Sequence, residues 1–238
     1  MNYTCKTIAL ASAIVAFTIT TTSVKAVTYG DATGETISGA GIVDITSVEV
    51  NNTATDLIFK INLNGDPTVT DWGKYLISFD TTAGGATTGN GWNRPINMTS
   101  GMDYWVGSWA DSGNGAELYK YTGSWGLQSA TYSANPDALS ISKNSSSVTL
   151  TFNFAGLGLT TGNSFLFDVY TTGGGGTDGA VDALANPNQS IANWGDTYST
   201  ASPFVDSYTI AAVPEPATLT VLGLGSLLAW NRITRRRS

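Results

Sequence analysis

Short runs in which apolar and polar residues alternate with a period of two are the feature that most constrains this chain. The clearest is Val148–Phe154, where four apolar side chains alternate with threonine and asparagine. Similar runs lie at Leu57–Leu63, Tyr75–Phe79 and Phe165–Tyr170. Such a run buries one face of a strand and leaves the other in water. The runs therefore predict β-strands and exclude a helical bundle, which needs a period of 3.6.

Clusters of turn-forming residues separate these runs. They lie at Asn64–Pro67, Gly84–Gly85, Gly89–Gly91, Ser112–Gly115 and Gly173–Gly176. Glycine, asparagine, aspartate and proline suit the backbone of tight turns. Many short strands joined by such turns predict an all-β fold, an antiparallel β-sandwich of jelly-roll or immunoglobulin-like type. We also expect Ile42–Val50 and Ser207–Ala211 to form the outermost pair of strands, and Asp182–Asn188 a short helical turn.

The N-terminal segment, residues 1–26, reads as a secretory signal peptide with a helical apolar core. Lys6 precedes an apolar stretch from Ile8 to Ile19, and Val24 and Ala26 occupy the −3 and −1 positions before Val27. This order of charge, apolar run and small residues is typical of a cleaved export signal. A buried first helix is the alternative, and the polar run after Ile19 continues a helix poorly.

The C-terminal segment, residues 213–238, has three parts. Pro214, Glu215 and Pro216 end the preceding domain, because proline continues neither strand nor helix. An uncharged apolar run follows, and then a basic cluster with Arg235, Arg236 and Arg237. By length alone the run could be a buried helix. The terminal arginines instead indicate a transmembrane helix with a cytoplasmic end.

This three-part ending resembles the PEP-CTERM sorting signal. The resemblance implies processing by an exosortase, a precursor held transiently in the inner membrane, and delivery to the cell surface or extracellular matrix of a Gram-negative bacterium. The folded domain is then residues 27–212, between the signal peptide and the sorting segment. Sorting signals of this kind are removed, so they act as addresses rather than as parts of the fold.

Composition narrows the chemistry open to this domain. Residues 27–212 carry five basic and 17 acidic side chains, a net charge of −12. Such a surface repels nucleic acid. The chain has no histidine, and its one cysteine, Cys5, lies in the signal peptide. Catalysis by Ser-His-Asp or Cys-His groups and common zinc sites are therefore excluded. We expect no enzymatic activity, although two opposed carboxylates would suffice for a glycosidase.

The order of motifs within residues 55–171 is similar to that of DOMON-like sandwiches, which include the carbohydrate-binding modules of family nine. A strand at Trp72–Asp80 leads into a glycine-rich loop. Met102–Trp109 and Ala116–Trp125 follow, and a later strand, Val148–Phe154, leads into Gly156-Leu157-Gly158. The resemblance implies an extracellular binding module for sugars, haem or other ligands. Haem-binding members use methionine and histidine, so the absence of histidine argues against haem.

Two sets of residues are candidates for a binding site. Exposed aromatic rings could stack on pyranose rings; the candidates are Trp92, Trp194, Trp109 and Tyr104. Oxygen ligands on flexible loops suit Ca²⁺, the only cofactor that the sequence suggests; the candidates are Asp80, Asp178 and Asp182. The alternatives are that the aromatic rings belong to the core and that the aspartates stabilise turns.

Together these patterns predict an exported surface or matrix protein, sorted by exosortase, whose β-sandwich binds extracellular polysaccharide. Two other functions stay open. One is a secreted polysaccharide hydrolase, and the other is a structural matrix protein without a specific ligand. A cleft with two facing carboxylates would favour the hydrolase, whereas exposed tryptophan rings without such a pair would favour binding.

Overall fold

The computed structural model describes residues 24–201 and 205–213, which fold into antiparallel sheets that pack face to face. The strands are β1 (Val27–Gly30), β2 (Ile45–Asn52), β3 (Asp56–Leu63), β4 (Lys74–Asp80), β5 (Ile96–Met98), β6 (Tyr104–Trp109), β7 (Gly115–Tyr121), β8 (Trp125–Ala130), β9 (Ser140–Asn144), β10 (Ser147–Asn153), β11 (Ser164–Thr172), β12 (Asp182–Ala183), β13 (Tyr198–Thr200) and β14 (Asp206–Thr209). The predicted all-β sandwich is confirmed.

Each of the two large sheets has its own strand order. Sheet one runs β1-β2-β3-β10-β9, and sheet two runs β12-β11-β4-β6-β7-β8 with β14 beside β11. A separate parallel pair joins β13 to β5. Two short 3₁₀ turns, Gly41–Val43 and Phe154–Leu157, are the helical elements of the described residues. No helix among those residues has the length and apolar character needed to cross a membrane.

The predicted terminal helices fall largely outside the described part of the chain. Residues 1–23 of the signal peptide and residues 214–238 of the sorting segment belong to the parts that are not described. The described residues form one compact unit with its own core.

The main core lies between the two large sheets and follows the predicted alternation. Phe59 of β3 is fully buried, and its ring meets Phe79 of sheet two at 5.6 Å and Phe167 at 5.1 Å between centroids. Phe152 of β10 stacks beside it at 6.3 Å. Burial of each such ring contributes about 2–3 kcal/mol, and edge-to-face contacts add to this. The rings therefore join the two sheets.

A second apolar cluster covers the outer face of sheet two. Leu76 of β4, Trp105 of β6 and Tyr170 of β11 point away from the main core and are nevertheless fully buried. The cover comes from β5, with Met98, and from connecting loops, with Ile191. The central strands of sheet two are thus buried on both faces, and their outer face can position side chains from distant loops.

Two predictions were wrong, one about which strands pair and one about a helical turn. β2 pairs with β1 and β3, whereas β14 pairs with β11 in the other sheet, so Ile42–Val50 and Ser207–Ala211 do not pair with each other. The helical turn predicted at Asp182–Asn188 begins instead with strand β12. There Thr171 lies opposite Asp182, because β11 offers a free edge to this segment.

Buried Asn52 fastens the end of the domain to sheet one. Its side-chain amide donates to the backbone carbonyl of Ala211 at 2.9 Å, and its oxygen accepts from the Ala211 N–H at 3.0 Å. The hydroxyl of Tyr208 donates to the same oxygen at 2.8 Å. The chain is therefore held firmly up to Ala211.

Candidate functional site

Three aromatic side chains form a continuous row beside the β6–β7 hairpin of sheet two. The ring centroids of Trp92 and Trp109 lie 6.3 Å apart, and those of Trp109 and Tyr132 lie 6.1 Å apart. The interplanar angles are 34° and 41°. We call Trp92, Trp109 and Tyr132 the aromatic row. It combines two residues that the sequence suggested with one that it did not.

Two glycines in the sheet make room for the row. A β-carbon at Gly107 of β6 would collide with the indole ring of Trp92, and one at Gly115 of β7 would collide with that of Trp109. Both indoles therefore lie against bare backbone. This close approach is a reason for glycine in a strand, where it otherwise weakens the structure.

Glu117 of β7 anchors the row through its carboxylate. Its Oε2 accepts a hydrogen bond from the indole N–H of Trp92 at 2.6 Å and one from the hydroxyl of Tyr119 at 3.1 Å. Its Oε1 accepts from the hydroxyl of Tyr132. Hydrogen bonds to a charged acceptor are about twice as strong as neutral ones. Glu117 therefore fixes the positions of Trp92 and Tyr132.

The row remains accessible to a ligand along part of its length. Tyr132 is 62% exposed, while Trp92 and Trp109 are half-buried. The guanidinium of Arg94 lies 5.7 Å from the centroid of Trp92. Fixed aromatic rings with polar groups at their rim can pack against the C–H faces of a sugar while the rim binds its hydroxyls.

Trp194 belongs to a different aromatic pair. Its ring lies 6.2 Å from that of Trp72 at an angle of 62°, and it is 38% exposed. Tyr104 is only 4% exposed and contributes to the main core, so its ring lies outside the row. Of the four predicted aromatic residues, the structure thus brings together Trp92 and Trp109.

The three aspartates predicted as calcium ligands occupy separate environments. Asp178 closes its own glycine-rich turn, where its Oδ2 accepts from the Gly175 N–H at 2.8 Å. Asp80 ends β4, and burial raises the pKa of its carboxyl. Asp182 lies in β12 beside two acidic residues that the sequence did not single out, Asp31 and Glu35.

Asp31, Glu35 and Asp182 form a cluster in which one carboxylate oxygen of each lies within 4.8 Å of the others. We call these three residues the carboxylate cluster. Asp182 is fully buried, and its position is fixed by the Ile45 N–H at 2.6 Å and the Ala183 N–H at 2.8 Å. The cluster thus brings the loop after β1 to strand β12, across the two sheets.

Burial and mutual repulsion perturb the titration of this cluster. Desolvation, followed by the charge of Asp182, raises the pKa of Asp31 to about 8. Desolvation, together with the charges of Glu35 and Asp44, raises the pKa of Asp182 to about 7. Carboxyl groups with such pKa values are destabilised as anions unless a cation compensates them.

Sequence reasoning missed Glu117 and Tyr132 in the row and Asp31 and Glu35 in the cluster. A signal existed for Glu117, because period two places it on the same face of β7 as Tyr119. The Gly30-Asp31 and Gly34-Glu35 pairs in one short loop were a second, weaker signal.

Comparison with known proteins gives one finding for the C-terminal segment. Residues 212–237 match the family model of the PEP-CTERM protein-sorting motif. The chain is therefore an exported protein, made as a membrane-anchored precursor and processed by exosortase. No curated protein and no solved structure matches the chain. The resemblance of the body to DOMON-like sandwiches stays a prediction.

Proposed function

We propose that this PEP-CTERM protein binds extracellular polysaccharide through the aromatic row on sheet two. The single observation that carries the proposal is the row itself: three rings in sequence, two seated on glycines, with one acidic residue holding both ends. An exported protein sorted by exosortase meets polysaccharide outside the cell, so the location fits the ligand. The cost of keeping Tyr132 exposed is consistent with a binding role.

The row is better suited to a sugar chain than to an apolar partner. Its rings are bordered by the carboxylate of Glu117, while Arg94 is buried beneath Trp92 with its guanidinium 5.7 Å from the ring centroid. A sugar presents hydroxyls beside an apolar ring face, so it can stack on the rings and donate hydrogen bonds to the carboxylate. The net charge of −12 in residues 27–212 favours a neutral or cation-bridged polysaccharide, since an acidic one would be repelled.

Polysaccharide hydrolysis is the second candidate function, since the carboxylate cluster contains acids at close range. A glycosidase needs two carboxyl groups that flank a bound glycosidic bond. Here the free oxygens of Asp31 and Glu35 are inaccessible to solvent. We therefore propose a non-enzymatic role. An assay for new reducing ends, after incubation with each bound polysaccharide, tests this, and their appearance would favour the hydrolase.

The binding proposal can be tested by affinity electrophoresis and a glycan array on purified residues 27–212. Trp109→Ala and Tyr132→Ala should each weaken binding about tenfold or more, because each removes one stacking surface. Val69→Ala is the matched control, since Val69 is 81% exposed and lies outside the row. Circular dichroism confirms that each variant is folded.

A third variant, Trp194→Ala, separates the two aromatic sites. If binding is lost in Trp194→Ala but kept in Trp109→Ala, the Trp72–Trp194 pair is the site and the row is not. If the folded wild-type domain binds no polysaccharide at all, the proposal is wrong and a structural matrix role becomes the better account.

A further inference from the structure

The carboxylate cluster has an excess of acceptors over donors. Four carboxylate oxygens are buried and receive no hydrogen bond: Oδ2 of Asp31, both oxygens of Glu35 and Oδ1 of Asp44. A buried oxygen without a donor costs about 1–3 kcal/mol, and more when it is charged. Four such atoms in one region would destabilise the fold as anions unless a proton or a cation binds them.

Buried oxygens without a hydrogen-bond donor separate this site from an ordinary acidic cluster, and Asp44 carries one of them. Its side chain is 4% exposed, and its Oδ2 is held by the Gly34 N–H at 3.0 Å and by the amide of Asn64 at 2.9 Å. These bonds hold its carboxylate against the backbone between Asp31 and Glu35. Asp44 therefore borders the carboxylate cluster, whose converging oxygens come from Asp31, Glu35 and Asp182. The other oxygen of Asp44, Oδ1, receives no donor.

Within residues 24–201 and 205–213, no ion pair joins a basic side chain to Asp31, Glu35, Asp44 or Asp182. Three converging carboxyl groups without such a pair are an arrangement in which a divalent cation gains much, because it removes both the repulsion and the unsatisfied acceptors.

We propose that Asp31, Glu35 and Asp182 bind a structural Ca²⁺ ion that joins the two sheets at the β1–β2 connection. The donors are all oxygens, and Ca²⁺ takes six to eight of them in flexible geometry. The three free oxygens of Asp31 and Glu35 and one oxygen of Asp182 supply four, so water or backbone carbonyls complete the shell. Mg²⁺ fits less well, since it keeps several waters in a strict octahedron.

The expected role of the ion follows from where its ligands lie. Asp31 and Glu35 belong to the loop after β1, and Asp182 lies in β12 of the other sheet. A cation bound by Asp31, Glu35 and Asp182 fixes this loop where it leaves edge strand β1. It also links sheet one to sheet two through a contact other than the aromatic core.

Thermal unfolding and calorimetry on purified residues 27–212 test the proposal after removal of metal with a chelator. Ca²⁺ at about a hundred times its Kd should raise the Tm of the wild type by about 5–10 °C, with one ion bound. Mg²⁺ at the same concentration should have a smaller effect. Equal stabilisation by Mg²⁺, or no response to either ion, would overturn the proposal.

Glu35→Gln and Asp31→Asn separate metal binding from a structural role. Each should lose at least tenfold in Ca²⁺ affinity. In chelator, each should be at least as stable as the wild type, since one repelling carboxyl has been neutralised. Asp80→Asn is the matched control and should keep the full response. Equal destabilisation of Glu35→Gln and Asp31→Asn with and without Ca²⁺ would instead assign these acids a purely structural role.

Discussion

The aromatic row and the carboxylate cluster are each built around acidic side chains, and they treat those acids in opposite ways. In the row, Glu117 accepts hydrogen bonds from Trp92, Tyr119 and Tyr132. In the cluster, both oxygens of Glu35 are buried without any donor. The first acid is satisfied by its own protein, whereas the second needs a partner from outside. Counting the hydrogen-bond donors around a buried acid therefore shows whether it needs a partner from outside the protein.

The two regions also differ in how the chain assembles them. The row depends on neighbouring strands and two loops, all between residues 92 and 132. The cluster joins residues separated by about 150 positions, from Asp31 to Asp182.

Gly107→Ala should destabilise the domain by about 2–3 kcal/mol and abolish polysaccharide binding. The added β-carbon would collide with the Trp92 indole, which Glu117 holds in place, so overpacking cannot be relieved cheaply. Chemical denaturation measures the change. Gly126→Ala in β8 is the control, because a β-carbon there has open space and should cost little. Equal losses of stability in Gly107→Ala and Gly126→Ala would show that the contact between Gly107 and the Trp92 indole has no special role.

Glu117→Gln should lower the stability of the domain by about 1–2 kcal/mol, since the amide cannot accept all three hydrogen bonds and carries no charge. The same loss should occur with Ca²⁺ and with chelator. This behaviour contrasts with that expected of Glu35→Gln, which should be less stable than the wild type only when Ca²⁺ is present. Parallel denaturation of both variants under both conditions makes the comparison, and a calcium-dependent loss in Glu117→Gln would contradict it.

Asp206→Asn should stabilise the domain by about 1 kcal/mol at pH 7–8, an amount already reduced for the solvent screening of a partly exposed group. Burial raises the pKa of Asp206 to about 6 in the folded state, from 3.8. Because the native state then binds the proton more tightly, the wild type loses stability as pH rises from about 4 to 6. Below pH 4 the wild type and variant should unfold alike. A gain that is the same at pH 3.5 and pH 8 would exclude this cause.

Tyr132→Phe should have the smallest effect, about 0.5–1 kcal/mol on stability, since it removes one hydrogen bond to Glu117 and keeps the ring. Polysaccharide affinity should fall less than in Tyr132→Ala. Comparison of the two variants by the same electrophoretic assay separates stacking from ring positioning. Equal losses of affinity would mean that the hydroxyl itself contacts the ligand.

The amino-acid sequence was sufficient to predict the main strands and two members of the aromatic row. Alternation located β3, β4, β10 and β11 because each has one face in the main core, and Trp92 stood out as a large ring in a polar loop. Tyr132 was missed because nothing local shows that its ring meets Trp109. The cluster was missed because it depends on register: Asp182 reaches Asp31 only when β12 pairs with Thr171 of β11.

The hydrogen bonds of Asn52 to Ala211 and Tyr208 have a mechanical consequence for a protein whose sorting motif begins at residue 212. Any pull exerted through that motif enters the domain at Ala211, with almost no slack between the two. A pull in the direction of β14 is carried jointly by its pairing with β11 and by the three hydrogen bonds of Asn52. A pull on the sorting motif of the membrane-anchored precursor is thus borne by a sheet rather than by a loop.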